Sequence, residues 1–511
     1  MPNSPCVFIV GAGPGDPGLI TVRGLRRLES ADVVVYDHRV DARLLRSARA
    51  DAEKIDVGPA APRPLDQDAI SLLLVEKARE GKTVVRLKLG DPFVFDSGGK
   101  EALFLHEQQI PFEVVPGVPA TIGVPAYAGI PITYPDAGDV VTLVRGHEAE
   151  TNEPPRVDWD RVAGIDGTLV CYAGAQQVGV IAAALLASGR SPEESAALIY
   201  DGTTPSQQTV VASLGEIQAA ARPNDPAMFV VGRVAGLREH LRWFDARPLF
   251  GRRIVVTRSR EQAAELVDML EERGAEAIQT PTIRITPPED FEALDRACAE
   301  IGSFDWLVLT SANAADAFFD RLLQRGDARD LKGVRLCAIG AGTAQRLGRY
   351  GLRADLVPDE ARAEGVFDAL KAAGPLTGCR MLLPRADIAR EVLPDQLRDA
   401  GAIVTDVIAY RTVVAGGERD ADHDIYRMLL DHQIDAVTFT SASTVRNFAR
   451  MLGEEEAADL LNTTVVAAIG PVTAEAAQQL GIRTTVMPKK YTIPDLVDAL
   501  VEHFGAQPAA T

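Results

Sequence analysis

An internal repeat in the second half of the chain restricts its fold more than any other feature of the sequence. Short motifs recur there at a spacing of 130 residues, and the opening segment of the half recurs at a spacing of 127 residues. The matched segments are Thr310-Ser311-Ala312 with Thr440-Ser441-Ala442, Ala338-Ile339-Gly340 with Ala468-Ile469-Gly470, and 251–258 with 378–385. Two copies of one β-α-β array predict two similar lobes with a cleft between them.

Hydroxyl residues stand at matched positions in the two copies. In each copy one strand ends in Thr-Ser, and a later strand ends in Ile-Gly followed shortly by Thr, where a helix opens. Any one of these hydroxyls alone is typical of an ordinary helix cap. Four of them at equivalent positions favour a cleft in which helix N-terminal N–H groups bind anions. The four residues are Ser311, Thr343, Ser441 and Thr473.

The stretch 231–258 divides the chain into two halves. On its left a short helical pattern ends at Pro248 and Gly251, two residues that break helices. On its right Ile254–Thr257 is a β-branched run of the kind that begins a new sheet. A chain of 511 residues is too long for a single core. We therefore predict one domain at 1–246 and a second at 247–511.

Composition narrows the classes of partner. The net charge of −19 argues against nucleic acid, because phosphate binding requires a basic face. No apolar run approaches the roughly 20 residues of a membrane helix, and the N-terminus lacks a basic leader, so we expect a cytoplasmic protein. The five cysteines lie far apart without a CxxC pair, which predicts neither a disulfide nor a metal framework.

A glycine-rich turn follows the first predicted strand, Cys6–Val10. The segment 11–18 reads GAGPGDPG and leads into an amphipathic pattern. Such a turn lets backbone N–H groups approach a ligand closely. A dinucleotide fingerprint is disfavoured, because Pro14 and Pro17 stand where that motif enters its helix. A tight turn without a ligand is the alternative.

Three further predicted strands end in Gly/Pro-rich or acidic loops. Ala31–Tyr36 ends at Asp37, Thr83–Leu87 leads into KLGDPFVF, and Phe112–Val115 leads into PGVPA. An α/β sheet gathers a ligand site at the carboxyl ends of its strands. The first half is therefore predicted to hold a ligand site there.

These stretches resemble the S-adenosylmethionine-dependent uroporphyrinogen-III C-methyltransferases, a family of tetrapyrrole methylases. The likeness covers residues 7 to about 244. It rests on GAGPGDPGLIT, VVVYD, RLKLGDPFVF, VVPGVPATIGVPAYAGIPIT, TLVCYAG, ALIYDGTTPSQQ and PAMFVVGRV. The resemblance implies two α/β lobes and two methyl transfers to uroporphyrinogen III, at C2 and C7, that give precorrin-2. It also allows a homodimer through this half.

The resemblance also assigns site residues. Asp37 is the implied proton acceptor, and a carboxylate at a strand end suits that role; a helix cap is the alternative. Glycines and small side chains are implied to contact the methyl donor, S-adenosylmethionine. These residues are Gly11, Gly13, Pro14, Leu89, Gly90, Asp91, Val94, Pro119, Ala120, Ala173 and Gly202.

Several charged positions of that family are replaced in this chain. Most donor-site residues are present, whereas most acceptor-facing charges are not. Arg86, Lys100 and Arg145 are the cations expected to compensate, and we predict donor binding with slow methylation. The replacements are Pro59 for the lysine of VGK, Ser97 and Lys100 for the arginine and a glutamate of FGRGGEE, Pro135 for the arginine of PLTHR, and Ala173 for the methionine of YMG.

The second half resembles uroporphyrinogen-III synthase over 251–504. The likeness rests on VVTR, TSANA, AIGAGTA, LLPRA, VIAYRT, TFTSASTVRNF, AAIGPVTAEA and YTIPDLV. It implies cyclisation of hydroxymethylbilane to uroporphyrinogen III without a cofactor or a metal, with Tyr410 assisting loss of the hydroxyl. It places lobe one at 251–284 plus 412–504 and lobe two at 287–409. Arg258 and Arg385 join the four hydroxyls as predicted substrate-binding residues.

The predicted fold class is α/β, with a two-lobed tetrapyrrole methylase fold followed by a two-lobed, internally duplicated synthase fold. The leading function is a bifunctional enzyme in which the second half makes uroporphyrinogen III and the first half methylates it. A synthase with a weakened or non-catalytic methylase-like half is the rival. A nucleotide-dependent oxidoreductase and a solute-binding protein are disfavoured by the Pro17 break and by the lack of a leader.

Overall fold

The computed structural model describes most of the chain. Contacts between Cα atoms divide it into two compact units, Met1–Arg253 with Met269–Glu276 and Val501–Thr511, and Ile254–Asp268 with Ala277–Leu500. The described residues are 6–59, 61, 64–135, 137–146, 157–174, 177–222, 227–258, 260–281, 283–358, 363–387, 392–414, 424–453 and 456–505, without the side chains of 260, 261, 283–285 and 412–414. The predicted domain boundary at 246/247 stays a prediction.

The first sheet is parallel and has five strands in the order β3-β2-β4-β1-β5. Its strands are β1 (Val7–Gly11), β2 (Val33–Tyr36), β3 (Glu53–Asp56), β4 (Val84–Lys88) and β5 (Phe112–Val115). The helices between and after them are α1 (Val22–Glu29), α2 (Ala42–Ser47), α3 (Gln67–Arg79), α4 (Gly98–Glu107) and α5 (Ala120–Tyr127). The carboxyl ends of all five strands lie at one edge, where the predicted loops follow them.

Helices cover both faces of this sheet. Val7 and Ile9 pack with α3 and α4 on one face, while Phe8 and Val10 pack with α1 and α2 on the other. Every residue of β1 is therefore buried, which is how a central parallel strand reads as an unbroken apolar run.

A second, mixed sheet follows in the order β6-β7-β10-β8-β9. β6 and β7 are parallel, whereas β10 is antiparallel to both β7 and β8. The strands are β6 (Val141–Arg145), β7 (Thr168–Ala173), β8 (Ser195–Tyr200), β9 (Gln208–Ser213) and β10 (Ala227–Val231). The helices are α6 (Trp159–Ala163), α7 (Gln177–Ala187) and α8 (Arg238–Leu241).

The second half has two sheets, as the repeat predicts. One has the order β12-β11-β18-β19 and the other β13-β17-β16-β14-β15. The strands are β11 (Arg253–Val256), β12 (Glu276–Gln279), β13 (Ile283–Thr286), β14 (Trp306–Leu309), β15 (Arg335–Ala338), β16 (Arg380–Ala386), β17 (Ile403–Val414), β18 (Ala436–Phe439) and β19 (Val465–Ala468). β13 and the end of β17, which lie at the predicted crossings between lobes, pair with each other in the five-stranded sheet.

Helices of the second half follow its strands in turn. They are α9 (Arg260–Glu272), α10 (Glu292–Ala299), α11 (Ala312–Leu323), α12 (Ala341–Arg349), α13 (Ala363–Ala373), α14 (Val392–Asp399), α15 (Ile425–Leu430), α16 (Ala442–Leu452), α17 (Ala457–Leu461), α18 (Pro471–Gln479) and α19 (Ile493–Gly505). Leu307 and Leu309 face α10 and α11, while Trp306 and Val308 face α13 and α14. The predicted α/β class is confirmed.

Short 3-10 turns complete the secondary structure. They are Pro17–Leu19, Ile217–Ala220, Arg233–Leu237, Ile301–Ser303 and Ala328–Leu331. Across the described ranges, no helix combines the length and the apolar character needed to cross a membrane.

Candidate active sites

Three loops at the carboxyl edge of the first sheet meet backbone to backbone. A Cβ at Gly11 would lie 2.6 Å from the Gly117 Cα and 2.6 Å from the Gly90 carbonyl oxygen. A Cβ at Gly117 would lie 2.2 Å from the same oxygen. Gly13 and Gly90 also exchange backbone hydrogen bonds of 3.3 and 2.7 Å. Gly11 and Gly117 require glycine because no side chain fits between the loops there.

Asp91 fastens two of these loops together. Its Oδ2 accepts from the Gly117 N–H at 3.0 Å and its Oδ1 accepts from the Phe93 N–H at 2.8 Å. Asp91, which is predicted to contact the methyl donor, thus holds the loop after β4 against the loop after β5.

A small space opens above Gly90. Its φ is +73°, and a Cβ there would meet only the Ala120 nitrogen at 3.8 Å and the Pro119 Cα at 3.9 Å. Pro119 precedes α5 without a side-chain cap, so the N–H groups of the first turn of this helix are not capped by that residue. Gly90, Pro119 and Ala120, all predicted to contact the methyl donor, therefore line one open space, the glycine cradle. A side chain at position 90 would fill it.

The remaining predicted donor residues lie on neighbouring elements of the same unit. A Cβ at Gly202 would lie 2.4 Å from Val124 of α5, and one at Gly123 would lie 2.9 Å from the Pro14 ring. Ala173 is the buried last residue of β7. Leu89 and Val94 are half-buried in the loop after β4.

Asp37 follows β2 and is held by a buried arginine. Arg86 Nη2 lies 2.5 Å from Asp37 Oδ1, and the Leu89 N–H donates to Oδ2 at 3.4 Å. The Asp37 side chain is 29% exposed, whereas Arg86 is 1% exposed. Arg86 is thus committed to Asp37, which corrects the expectation that it could bind the carboxylates of an acceptor.

The surroundings of Asp37 keep its carboxyl ionised. Burial alone would raise the pKa of Asp37, but the charges of Arg86 and Lys88 and the hydrogen bonds from Arg86 and Leu89 bring that pKa below its ordinary value. A carboxylate ionised at neutral pH can accept a proton.

A chain of buried charges continues beneath Asp37. Glu101, which is fully buried, accepts from Arg86 Nε at 3.3 Å, from Lys88 Nζ at 3.1 Å and from Gln67 Nε2 at 3.1 Å. Burial would raise the pKa of Glu101, and the two cations lower it below its ordinary value. Sequence reasoning missed this cluster; the only available signal was two charged residues inside a buried strand pattern, VVRLK.

The positions at which this chain departs from the motifs of the methylase family do not all lie at the buried charge cluster. Ser97 precedes α4 without a capping bond, and its Oγ accepts from Lys88 Nζ at 2.9 Å. Pro59, Pro135 and Lys100 are exposed. Only Ser97 among these four contacts the charges below Asp37.

In the second half Tyr410 lies beside the start of α11. Its hydroxyl is 3.1 Å from Ser311 Oγ, and the residue is 8% exposed. Burial raises the pKa of Tyr410, while hydrogen bonds from Ser311 and Asn313 act in the opposite direction. The phenol therefore remains protonated at neutral pH and is able to donate a hydrogen bond.

Two amide side chains connect Tyr410 to the lobe that carries β11 and α9. Gln262 Nε2 of α9 donates to Asn313 Oδ1 of α11 at 3.0 Å, and Arg258 Nε donates to Gln262 Oε1 at 3.1 Å. Arg258, Ser311 and Tyr410 are thereby brought into one network. Sequence reasoning missed Asn313 and Gln262, although Asn313 breaks the repeat by standing opposite Ser443.

The four predicted hydroxyl residues fall into two pairs, one at the caps of helices and one inside their first turns. Ser311 and Ser441 cap α11 and α16 by accepting from the Ala314 and Thr444 N–H groups at 3.0 and 3.3 Å. Thr343 and Thr473 are buried inside the first turns of α12 and α18. They are not caps, so the alternative of an ordinary helix cap does not hold for these two residues, and their contact with the substrate stays a prediction.

The caps of α12 and α18 are Gly340 and Gly470, whose extended backbones begin the two helices without a side-chain cap bond. Arg385, the remaining predicted cation, lies 2.5 Å from Asp406 on the adjacent strand β17.

Comparison with known proteins finds one family in each half of the chain. The family model for Tetrapyrrole (Corrin/Porphyrin) Methylases matches residues 6–218, and the model for Uroporphyrinogen-III synthase HemD matches residues 264–498. An S-adenosyl-L-methionine-dependent uroporphyrinogen III methyltransferase of Methanosarcina barkeri is 44% identical over 239 residues, 46% of this chain and 94% of that protein.

Two further relatives complete the comparison. The crystal structure of uroporphyrin-III C-methyl transferase from Thermus thermophilus with S-adenyl homocysteine is 38% identical, covers 45% of this chain and 99% of that one, and has a TM-score of 0.40. Porphyrin biosynthesis protein HemD of Ruminiclostridium josui is 35% identical over 509 residues, 98% of each chain. The chain therefore belongs to the family of this porphyrin biosynthesis protein and joins a tetrapyrrole methylase to a uroporphyrinogen-III synthase.

Proposed function

We propose that the second half cyclises hydroxymethylbilane to uroporphyrinogen III and that the first half methylates this product at C2 and C7 to give precorrin-2. The product of one half is the substrate of the other. The observation that carries the proposal is the pairing of an ionised carboxylate, Asp37, with the glycine cradle at one sheet edge. A relative that matches 98% of the chain, porphyrin biosynthesis protein HemD of Ruminiclostridium josui, supports it.

S-adenosylmethionine is the proposed methyl donor, and the first half fits it. The space above Gly90, bordered by Pro119 and Ala120, would hold it through backbone groups. When bound, it supplies an electrophilic methyl group.

Asp37 has the acid–base role in the methylase half. A pyrrole carbon that gains a methyl group leaves the ring cationic, and the ring becomes neutral again when a carbon-bound proton passes to a base. The Asp37 carboxylate, aimed by Arg86 and the Leu89 N–H, accepts that proton.

Tyr410 has the corresponding role in the synthase half. Its protonated phenol donates to the terminal hydroxyl of hydroxymethylbilane, so that this group departs as water when its bond to carbon breaks. Ser311 and Asn313 hold the phenol in place. Ring D then attacks the exposed carbon through its already substituted carbon, and the spiro intermediate opens and recloses with ring D inverted. The proton lost from the newly bonded pyrrole carbon returns to the phenolate, so these steps need orientation more than further acid–base groups.

One incubation separates the proposal from its rival. The full chain is supplied with hydroxymethylbilane and methyl-labelled S-adenosylmethionine, and the tetrapyrroles are separated by chromatography. We expect uroporphyrinogen III to form and to acquire two labelled methyl groups. Uroporphyrinogen III without label would instead favour a monofunctional synthase with a non-catalytic methylase half.

A further inference from the structure

Lys88, the second cation of the buried cluster, has all of its hydrogen-bonding capacity used. Its Nζ lies 3.0 Å from Asp96 Oδ1, 3.1 Å from Glu101 Oε1 and 2.9 Å from Ser97 Oγ. An ammonium group has three donors, and three acceptors surround this one. The side chain is 1% exposed. Lys88 therefore has no donor left for an incoming carboxylate.

Asp96 differs from the other two acceptors because it reaches the surface. Glu101 is fully buried and shared with Arg86, whereas the Asp96 side chain is 24% exposed. The Asp96 carboxylate therefore lies on the open side of Lys88.

Asp96 lies near the proposed reaction site. It follows Phe95, whose ring packs edge-on against Tyr172 of β7 at 5.8 Å. Burial raises the pKa of Tyr172 most, and the charge of Asp96 raises it further. Burial likewise raises the pKa of Asp96, and the charge of Asp37 adds to that rise. Asp96 therefore lies close enough to the proposed base and to β7 for an acceptor bound there to meet its charge.

The buried cluster carries more carboxylates than cations, and the excess negative charge lies at its partly exposed ends. Two cations, Arg86 and Lys88, face three carboxylates, and the two partly exposed ends are both carboxylates, Asp37 and Asp96. Uroporphyrinogen III carries eight carboxylates. One of them approaching Lys88 would meet a like charge and a saturated ammonium.

We propose that Asp96 is a specificity-determining residue of the methylase half, whose carboxylate occupies the place on Lys88 that an acceptor carboxylate would otherwise take. It thereby raises the KM for the tetrapyrrole acceptor. This inference rests on the proposed methyltransferase function and concerns acceptor binding alone, since the donor cradle is formed by Gly90, Pro119 and Ala120.

The test measures methylation of uroporphyrinogen III by the full chain with Asp96→Gly and Asp96→Asn. Asp96→Gly clears the space on Lys88 and is expected to lower the acceptor KM about five- to twentyfold with kcat within threefold, as one charge-assisted contact is gained. Asp96→Asn removes the charge but keeps an oxygen on Lys88, so its KM should fall less. Asp68→Asn, an exposed substitution on α3 with the same change of charge, should leave the KM unchanged.

Two further readouts in the same samples separate the possible failures. Cyclisation of hydroxymethylbilane by the other half reports that the protein is intact, and calorimetry with S-adenosylhomocysteine reports the donor site. Donor binding with an acceptor KM that is unchanged or higher in Asp96→Gly would overturn the inference alone. Absence of donor binding in the wild type and all variants would refute the proposed methyltransferase. Methylation that is detectable only after Asp96→Gly would support the inference.

Discussion

Glu101 is the residue on which the buried charges of the methylase half depend. It compensates both Arg86 and Lys88 while being fully buried itself. Replacing Glu101 with Gln leaves two buried cations with only partly exposed partners. Breaking a buried pair in this way costs about 3–5 kcal/mol, and we expect that loss in the free energy of unfolding by urea at pH 7. Glu113→Gln, which removes a surface carboxylate paired with Arg27, should cost at most about 1 kcal/mol.

The cost of Glu101→Gln should depend on pH in a defined direction. The folded-state pKa of Glu101 lies below its ordinary value, so its charge stabilises the fold at pH values above the unfolded pKa of about 4.3 and stops doing so as pH falls through the folded pKa. The difference in unfolding free energy between wild type and variant should be full at pH 6–7 and shrink below about pH 4. A difference that grows on acidification would show that Glu101 is protonated in the folded protein.

Tyr410 permits the corresponding test in the synthase half. Tyr410→Phe removes the hydroxyl that lies beside Ser311 and should lower the turnover of hydroxymethylbilane about ten- to a thousandfold, the range for one assisting donor. The melting temperature should stay within a few degrees of wild type. The matched control is Tyr426→Phe, which removes an exposed hydroxyl paired with Glu456 on the lobe that carries β18. Turnover within twofold of wild type for Tyr410→Phe would remove this residue from the mechanism.

At the scale of elements, the three loops at the first sheet edge act as one unit. A Cβ at Gly117 would overlap the Gly90 oxygen, so Gly117→Ala must separate the loops after β4 and β5. We expect binding of S-adenosylhomocysteine to weaken at least tenfold and the unfolding free energy to fall by about 1–3 kcal/mol, as in other overpacked sites. Calorimetry and urea unfolding measure the two effects.

Gly99→Ala is the control for this prediction. It lies in α4, and a Cβ there meets nothing within 4 Å. Because alanine favours a helix over glycine by about 1 kcal/mol, Gly99→Ala should leave donor binding unchanged and stabilise the protein slightly. Unchanged donor binding in Gly117→Ala would show that the cradle does not depend on the contact between the loops.

The elements that could be predicted are those with a local signal. The strand before Asp37 and the strand that ends at Lys88 combine β-branched runs with a following acidic or Gly/Pro-rich loop, and both appear within two residues of the predicted bounds. The caps at Ser311 and Ser441 follow the same logic. Thr343 and Thr473 are not caps because the helices begin at Gly340 and Gly470, whose extended backbones cap them without a side-chain hydrogen bond.

What could not be predicted is set by contacts between distant segments. The pattern VVRLK places Lys88 in a strand that reads as buried, but the local sequence does not show that Glu101 is its partner. Likewise Gln262 and Asn313 are 51 residues apart and meet only because α9 and α11 start on facing lobes. Burial and pairing of polar groups are tertiary properties. Sequence patterns therefore predict the loops of the site but not the buried polar groups that support those loops.

For the whole molecule the question is where one domain can be cut from the other. Residues on both sides of the predicted boundary at 246/247 pack together. The Phe244 ring lies 5.3 Å from Phe250, and the Arg247 guanidinium lies 4.9 Å from the Trp243 ring. A cut there removes one aromatic pair and the two cation–π contacts that Arg247 makes with the Trp243 and Phe244 rings, which together amount to roughly 1.5–3.5 kcal/mol.

We therefore expect a fragment of residues 1–246 to fold, but its free energy of unfolding in urea should be about 1.5–3.5 kcal/mol lower than that of a fragment of residues 1–253, which keeps Phe250 and Arg247. The fragment 247–511 should fold and convert hydroxymethylbilane to uroporphyrinogen III without S-adenosylmethionine, because both of its sheets and the contact between Tyr410 and Ser311 lie within it. Circular dichroism and the cyclisation assay check the two fragments. An insoluble or inactive 247–511 beside an active full chain would mean that the synthase needs the segment before Arg247, and that the domain boundary lies earlier than 246.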